Sequence, residues 1–296
     1  MAARSEFKRV GMVVKPDSDV AKQRARRLAV WLEKRGIGVL AEAPWAGARQ
    51  AVVLERAEMM RQAQLVVALG GDGTLLSAAR LSRRGSAAVV GINHGGLGFL
   101  TVSDSGGLYA TMRRILGGKY RLEQRTMLAA VVRRRGRVVA RSQALNDAVV
   151  TRATFSRMLA LEAEVDGTRL TEYLGDGLIV ATPTGSTAYS LSAGGPVVDP
   201  SVGALLVTPI SPHTLGSRPL GSRPLVLPDR AAVRIRVAPS EEAVLTLDGQ
   251  EAVELRGRDT VELVRSANRA AIVAPEGAAY FEILRSKMGW GGKRRG

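Results

Sequence analysis

The sequence predicts an α/β domain followed by a β-rich domain, and three observations predict it. In the first hundred residues strand-like and helix-like segments alternate, which implies parallel pairing within an α/β layer. From Met127 onward the chain breaks into short Val, Leu and Ala runs divided by Gly, Asp and Arg, the pattern of antiparallel sheets. The length of 296 residues suits two domains, at roughly 100–200 residues each. Residues 1–105 are expected to form the α/β domain and 106–269 the β-rich domain. The tail, 270–296, is expected to pack back on the first domain.

The elements follow in order. Val10 to Val14 is a short apolar run. Ala21, Ala25, Leu28 and Leu32 then recur at helical spacing, with Lys22, Arg24, Arg26 and Arg27 off that stripe. Gly36 ends this helix as a C′ glycine would. Ile37 to Leu40 and Leu65 to Leu69 read as strands, Leu75 to Arg83 as helix, Ala87 to Ile92 as strand, and Leu108 to Leu116 as helix. The β-rich part contributes Met127–Val132, Val138–Ala140, Met158–Val165, Leu178–Ala181, Val233–Val237, Ala243–Leu247 and Val261–Val264. Ala278 to Lys287 reads as a last helix.

Composition excludes several classes. Hydrophobic residues make up 46% and charged residues 24%, ordinary for a globular protein. Aromatics are only 4%, so the core rests on Val, Leu, Ile and Ala. No run approaches the ~20 apolar residues of a membrane helix, and Met1 to Val10 lacks the apolar centre of a signal peptide. With no cysteine there are no disulfides or thiolate metal sites, which fits a cytoplasmic protein. The net charge of +16 attracts anions; it reads as a feature of a basic proteome or of solubility, or as a field for a nucleotide or a nucleic acid. The cluster Arg133-Arg134-Arg135, followed by Gly136-Arg137, sits between Val-rich runs as a hairpin turn would, and Lys293-Arg294-Arg295 lies on the tail. Interleaved aromatics and groove-reading motifs are lacking, so no specific nucleic-acid partner is expected.

Four segments carry chemistry. The apolar run Leu65–Leu69 enters Gly70-Gly71-Asp72-Gly73-Thr74, and a helix follows. Glycines let backbone approach a ligand closely, and a helix N-terminus favours phosphate. A carboxylate there repels phosphate, so Asp72 reads either as a helix cap or as a group that accepts a hydroxyl proton or helps hold Mg²⁺. Asn93-His94-Gly95-Gly96-Leu97-Gly98-Phe99-Leu100 is a second glycine-rich loop after a strand, where α/β sheets bind ligands. Asn146-Asp147 reads either as an Asx turn or as a pair that meets a base edge and ribose hydroxyls. Asp176 to Gly195 is a strand followed by a hydroxyl-rich turn. That turn either caps a helix or binds base and ribose, with Tyr189 available to stack. His213 follows Ser211-Pro212 and reads as structural.

Together these segments resemble the NAD kinase family. The likeness lies in their order: Gly70 to Thr74, Asn93 to Leu100, Asn146-Asp147, Asp176 to Gly195, Pro212 to Leu215, and Asp248-Gly249-Gln250. The first is shared with diacylglycerol, sphingoid-base and phosphofructokinase-type kinases, whereas Thr182 to Gly195 singles out NAD kinases. The resemblance implies a two-domain architecture of NAD kinase/diacylglycerol kinase type with an active site between the domains. It implies phosphoryl transfer from ATP, or polyphosphate in some members, to the 2′-hydroxyl of the adenosine ribose of NAD. A divalent cation, Mg²⁺, and a homodimer or homotetramer are also implied; no residue is assigned to the metal. By this likeness Asp72 accepts the proton, with Gly73 beside it at the ligand. Asn146 and Asp147 hold adenine and ribose, Asp176 meets the nicotinamide end, and Thr187, Ala188, Tyr189, Ser190, Leu191 and Ser192 wrap the nucleotide. Arg157 and Gln250 also fall where the family contacts the dinucleotide.

The chain departs from the family pattern twice. It has Asn-Asp at 146–147 where Asn-Glu is usual, and it repeats Leu-Gly-Ser-Arg-Pro at Leu215–Pro219 and Leu220–Pro224. The rival readings are a lipid or sugar kinase built on the same glycine loop, and a basic nucleic-acid-binding protein.

Overall fold

The computed structural model describes residues 7–42, 45, 51–93, 98–103, 107–153, 158–213, 223–275 and 280–289. The chain divides into two compact units, residues 1–124 with 270–296, and residues 125–269.

The first unit holds β1 (Arg9–Val14), α1 (Asp19–Glu33), β2 (Gly38–Ala41), β3 (Val52–Val53), α2 (Arg56–Gln62), β4 (Leu65–Leu69), α3 (Asp72–Ala79), β5 (Ala88–Asn93), β6 (Thr101–Ser103) and α4 (Leu108–Leu116). Its strands pair in parallel in the order β3-β2-β1-β4-β5, with β6 also on β5. The centre of the sheet, Val10–Val14 and Leu65–Leu69, is buried throughout, as parallel strands covered on both faces require. The helical stripe read from sequence is the buried face of α1, and Ser18 caps that helix by accepting from the Ala21 N–H at 3.2 Å. The unit extends past residue 105 to Gln124 because Leu108, Met112 and Ile115 of α4 join the core formed by α1 and the sheet.

The second unit begins inside β7 (Tyr120–Arg134) and continues with β8 (Arg137–Ala144), β9 (Asp147–Arg152), β10 (Leu159–Val165), β11 (Thr168–Gly175), β12 (Gly177–Ala181), α5 (Tyr189–Ser192), β13 (Ala204–Ile210), β14 (Leu225–Pro228), β15 (Val233–Val237), β16 (Glu242–Leu247), β17 (Glu251–Arg256) and β18 (Thr260–Pro275). One antiparallel sheet runs β14-β13-β12-β9-β16-β17. The other runs β11-β10-β15-β18, with β7 on β18 and β8 on β7. Alternate residues of both sheets meet in one core, for example Leu161, Val233 and Leu263 from one and Val150, Val180 and Leu245 from the other. Strand β15 shows why, since its Val-Arg-Ile-Arg-Val sequence buries every second side chain.

From Ala270 the chain belongs to the first unit again. Ile272, in the last part of β18, pairs in parallel with Val89 of β5, and α6 (Tyr280–Met288) follows.

Candidate active site

The residues singled out by sequence fall in both units.

In the first unit, β4 ends at Leu69 and α3 starts at Asp72, three residues before the start read from the sequence. Gly71 is the N-cap, in extended conformation and without a side-chain cap bond, so Asp72 lies in the first turn of α3 and not at its cap. A Cβ on Gly70 would lie 2.2 Å from Thr74 Oγ1, so the turn admits only glycine there. The Asp72 carboxylate accepts three backbone N–H groups. Phe99 donates to Oδ2 at 2.9 Å, while Leu100 and Thr101 donate to Oδ1 at 3.2 and 3.1 Å. A carboxylate offers about four acceptor positions. Oδ1 is therefore filled and Oδ2 keeps one. Gly98 makes this approach possible, since a Cβ there would lie 2.2 Å from Asp72 Oδ1. The second glycine-rich loop thus meets the first through Asp72; its residues 94–97 lie outside the described set.

In the second unit, Leu145, Asn146 and Asp147 form a turn clamped from two sides. Asp248 accepts the backbone N–H groups of all three, at 2.9, 2.7 and 3.2 Å. From the other side the Thr182 hydroxyl donates to the Leu145 carbonyl at 2.5 Å, and the Thr182 N–H donates to the Asn146 carbonyl at 2.8 Å. Gly185 packs against the same turn, and a Cβ there would lie 2.2 Å from the Asn146 carbonyl oxygen. The clamp leaves Asn146 Oδ1 buried with no hydrogen-bond partner among the described residues, an acceptor that a ligand donor would satisfy.

Asp147 is 4% exposed. Burial, and then the charge of Asp248, push its carboxyl up to about 7. Because the folded carboxyl holds its proton more tightly than the unfolded one, its contribution to stability is full below pH ~4 and is lost as pH rises to about 7. Between pH 5 and pH 8 this amounts to about 2–3 kcal/mol. Urea unfolding at the two pH values should show that loss in the native chain and a much smaller one in Asp147→Asn.

The hydroxyl-rich turn is a 3-10 turn at Thr184–Thr187 followed by α5. Several of its hydroxyls serve the fold. Ser186 donates to the Pro183 carbonyl, and Ser190 shares a 2.9 Å bond with buried Thr208. Thr187 bonds the Thr184 carbonyl at 3.4 Å, while Tyr189 and Ser192 are exposed. Turn and clamp belong together, since the turn supplies Thr182 and Gly185.

Asp176 stands apart. It pairs with Arg152 at 3.2 Å, at the end of β9 and β12 opposite Asp147. Five residues of β12 separate Asp176 from Thr182, about 17 Å of strand. Gln250 is exposed in the turn after Asp248, and Arg157 lies outside the described residues. So does most of the duplicated loop, residues 214–222. His213 donates its backbone N–H to the Leu174 carbonyl at 2.7 Å.

Asp248, Thr182, Gly98 and Gly185 lie inside motifs visible in the sequence, but the sequence assigns none of them a role of its own. An Asp-Gly pair between two apolar runs reads as a turn, and nothing local shows that its carboxylate reaches the chain a hundred residues earlier.

Two family models match the chain. ATP-NAD kinase N-terminal domain covers residues 10–120, and ATP-NAD kinase C-terminal domain covers 145–274. The NAD kinase of Geobacter sulfurreducens is 43% identical over 271 residues, 90% of this chain and 93% of the relative. The chain belongs to the NAD kinase family. The NAD kinase of Solibacter usitatus agrees, with 41% identity over 96% of this chain and 98% of its own length. Two solved structures share the fold. Yeast NADH kinase complexed with NADH has a TM-score of 0.87 at 23% identity, covering 98% of this chain and 89% of that one. An NAD kinase from Archaeoglobus fulgidus in complex with ATP has a TM-score of 0.73 at 24% identity, covering 95% and 97%. The NAD kinase fold is therefore the α/β unit and the β-rich unit described above.

The clamp also yields a prediction. Gly185→Ala must displace the Asn146 backbone, because the added carbon lands on main chain and not on a flexible side chain. An overpacking cost of about 1–3 kcal/mol is expected, with at least a roughly tenfold rise in KM for NAD and a nearly unchanged KM for ATP. Steady-state kinetics with each substrate varied in turn checks it.

Proposed function

We propose that this chain is an ATP-dependent NAD kinase with Asp72 as its general base. The observation that carries the base assignment is the carboxylate at the head of α3, held by three N–H groups with one acceptor position left on Oδ2. The adenosine 2′-hydroxyl would fill that position. Its oxygen attacks the γ-phosphorus of ATP, the bond from that phosphorus to the β–γ bridging oxygen breaks, ADP leaves, and the hydroxyl proton passes to Asp72. Such a base contributes about 10²–10⁴-fold. The phosphates would lie at the positive end of α3, where Gly71 and Gly73 leave the backbone open.

In the second unit, the unpartnered Asn146 Oδ1 supports adenine binding, since an amide oxygen accepts from an exocyclic amino group. Asp147 would hold ribose hydroxyls. Its shorter side chain, one methylene less than Glu, suits its deep placement against Asp248. Exposed Tyr189 and Ser192 and the backbone of 187–192 would wrap the nucleotide. Asp176, Arg157 and Gln250 would meet the remainder of the dinucleotide.

Among the described residues no three acidic or histidine side chains cluster as a metal cage. Mg²⁺ would arrive on the ATP phosphates, with its remaining positions held mostly by water. When bound, the ion neutralises phosphate charge. A homodimer or homotetramer residing in the cytoplasm belongs to the same reading; light scattering after gel filtration and cell fractionation test these two points.

The lipid or sugar kinase reading predicts phosphorylation of another hydroxyl and no NADP. Offering NAD, a diacylglycerol and a hexose in parallel to the purified chain with ATP and Mg²⁺ separates the two. NADP alone is expected.

A further inference from the structure

The far end of the β-rich unit carries a second concave surface that the kinase reaction does not use. A cavity of about 1060 Å³ opens there between three chain turns. They are the β7–β8 hairpin at Arg135-Gly136, the β17–β18 turn from Gly257 to Asp259, and the end of β15 at Val237 to Pro239. It lies at the opposite ends of β8 and β17 from the Asn146–Asp248 clamp. The eight residues of β8 put about 25 Å of strand between them.

Seven arginines and three carboxylates line the cavity. Every carboxylate is already engaged. Asp259, 1% exposed, takes Arg134 through both Nε and Nη2 and also accepts the Arg256 backbone N–H. Glu262 is shared by Arg133 at 3.2 Å and Arg234 at 3.4 Å, and Glu162 faces Arg236 at 3.6 Å. These pairs hold the frame. The guanidinium groups of Arg135, Arg256 and Arg258 have no partner among the described residues. Two of the three sit on turns fixed in the left-handed region, Arg135 at φ 49° and Arg258 at φ 71°. Gly257 packs so tightly that a Cβ would lie 2.0 Å from the Pro239 carbonyl oxygen, which ties the second turn to the end of β15.

We propose that this cavity is an anion site for a chain of linked phosphates. The lining carries an excess of four positive charges, spread over a space larger than one phosphate needs. Arginine's planar fork matches phosphate oxygens in pairs. The lining includes no aromatic side chain, and its apolar residues besides glycine are only Val237, Ala238 and Pro239, so it offers no platform for base stacking. Recognition therefore falls on the phosphates alone, whether they belong to free oligophosphate or to the tail of a nucleotide.

The test uses the full-length chain and Arg135→Asn/Arg256→Gln/Arg258→Asn. Asparagine tolerates the left-handed region, so both turns are kept. Tripolyphosphate, ATP, orthophosphate and a short DNA duplex are titrated by calorimetry at fixed salt, and hydrogen exchange is followed across 133–137 and 256–260. Tripolyphosphate should bind, protect those two segments, and weaken about tenfold or more in the variant, while KM for ATP and kcat for NADP formation stay the same. Equal weakening of ATP and tripolyphosphate binding at these segments also supports the site and assigns it to nucleotide tails. Unchanged tripolyphosphate affinity in the variant overturns the proposal, as does protection confined to Gly70–Thr74. Duplex binding tighter than tripolyphosphate overturns it in favour of a nucleic-acid surface.

Discussion

Replacing Asp72 by Asn should lower kcat for NADP formation by about 10²–10⁴-fold while NAD affinity changes only severalfold. The observed anchoring role and the proposed base role of this side chain make the split informative. As an anchor, the carboxylate holds the N–H groups of Phe99, Leu100 and Thr101. Asparagine keeps one oxygen, which suffices for the pair on Oδ1, but presents an NH₂ group to Phe99. Losing that bond should cost about 1–3 kcal/mol of local stability, visible as a modest drop in the unfolding midpoint. As a base, asparagine has nothing to offer. A variant that folds, binds NAD and ATP, and fails to turn over assigns the chemistry to Asp72. A variant whose NAD binding falls in step with kcat makes Asp72 an anchor of the 98–101 segment only.

Asp248→Ala should be the more damaging change for the fold of the second unit. Three neighbouring N–H groups, those of Leu145, Asn146 and Asp147, lose their shared acceptor at once. An unsatisfied part-buried donor costs about 1–3 kcal/mol. Water reaches some of them, so a total of about 3 kcal/mol is expected in urea unfolding, with NAD affinity reduced at least about tenfold as Asn146 loses its fixed position. Asp248→Asn should fall between native and alanine, because one oxygen remains to accept. In both variants the Asp147 carboxyl should move down from about 7, since the Asp248 charge is gone, yet stay above 3.8 because burial, the larger cause, persists. The carboxyl carbon of Asp147, followed by NMR through a pH titration of Asp248→Asn, reads this shift.

Much of the fold was legible because its periodicities are local. The Val-Arg-Ile-Arg-Val strand, the α1 stripe and the buried run Leu65–Leu69 each announce their element. Helix α4 was found at its observed limits, Leu108–Leu116, although its place in the first unit's core was not visible. The longest strands were read as fragments: Met127–Val132 is part of β7, and Val261–Val264 is part of a β18 that runs sixteen residues. Polar and charged positions along an exposed strand face interrupt the apolar signal without interrupting the pairing. Short strands such as β3 and β6 carry too few residues for any period to register.

The candidate site was legible in its motifs and illegible in its connections. Asp72 could be seen in a glycine loop, but only the fold shows that it lies inside the first turn of α3 and reaches Phe99 to Thr101. The hydroxyls from Thr182 to Ser192 read from sequence either as helix caps or as ligand contacts. Three of them, on Thr182, Ser186 and Ser190, turn inward to hold Leu145, Pro183 and Thr208. Hydroxyl-rich sequence reports that donors are present, and sequence distance hides which groups they satisfy.

The identity of the product made by the native chain from NAD, ATP and Mg²⁺ tests the kinase activity most directly. Stoichiometric ADP is expected, with a dinucleotide whose new phosphorus resonance couples to the adenosine 2′ position and which an NADP-specific dehydrogenase accepts. Phosphate on any other hydroxyl, or ADP released without a phosphorylated dinucleotide, would contradict that activity.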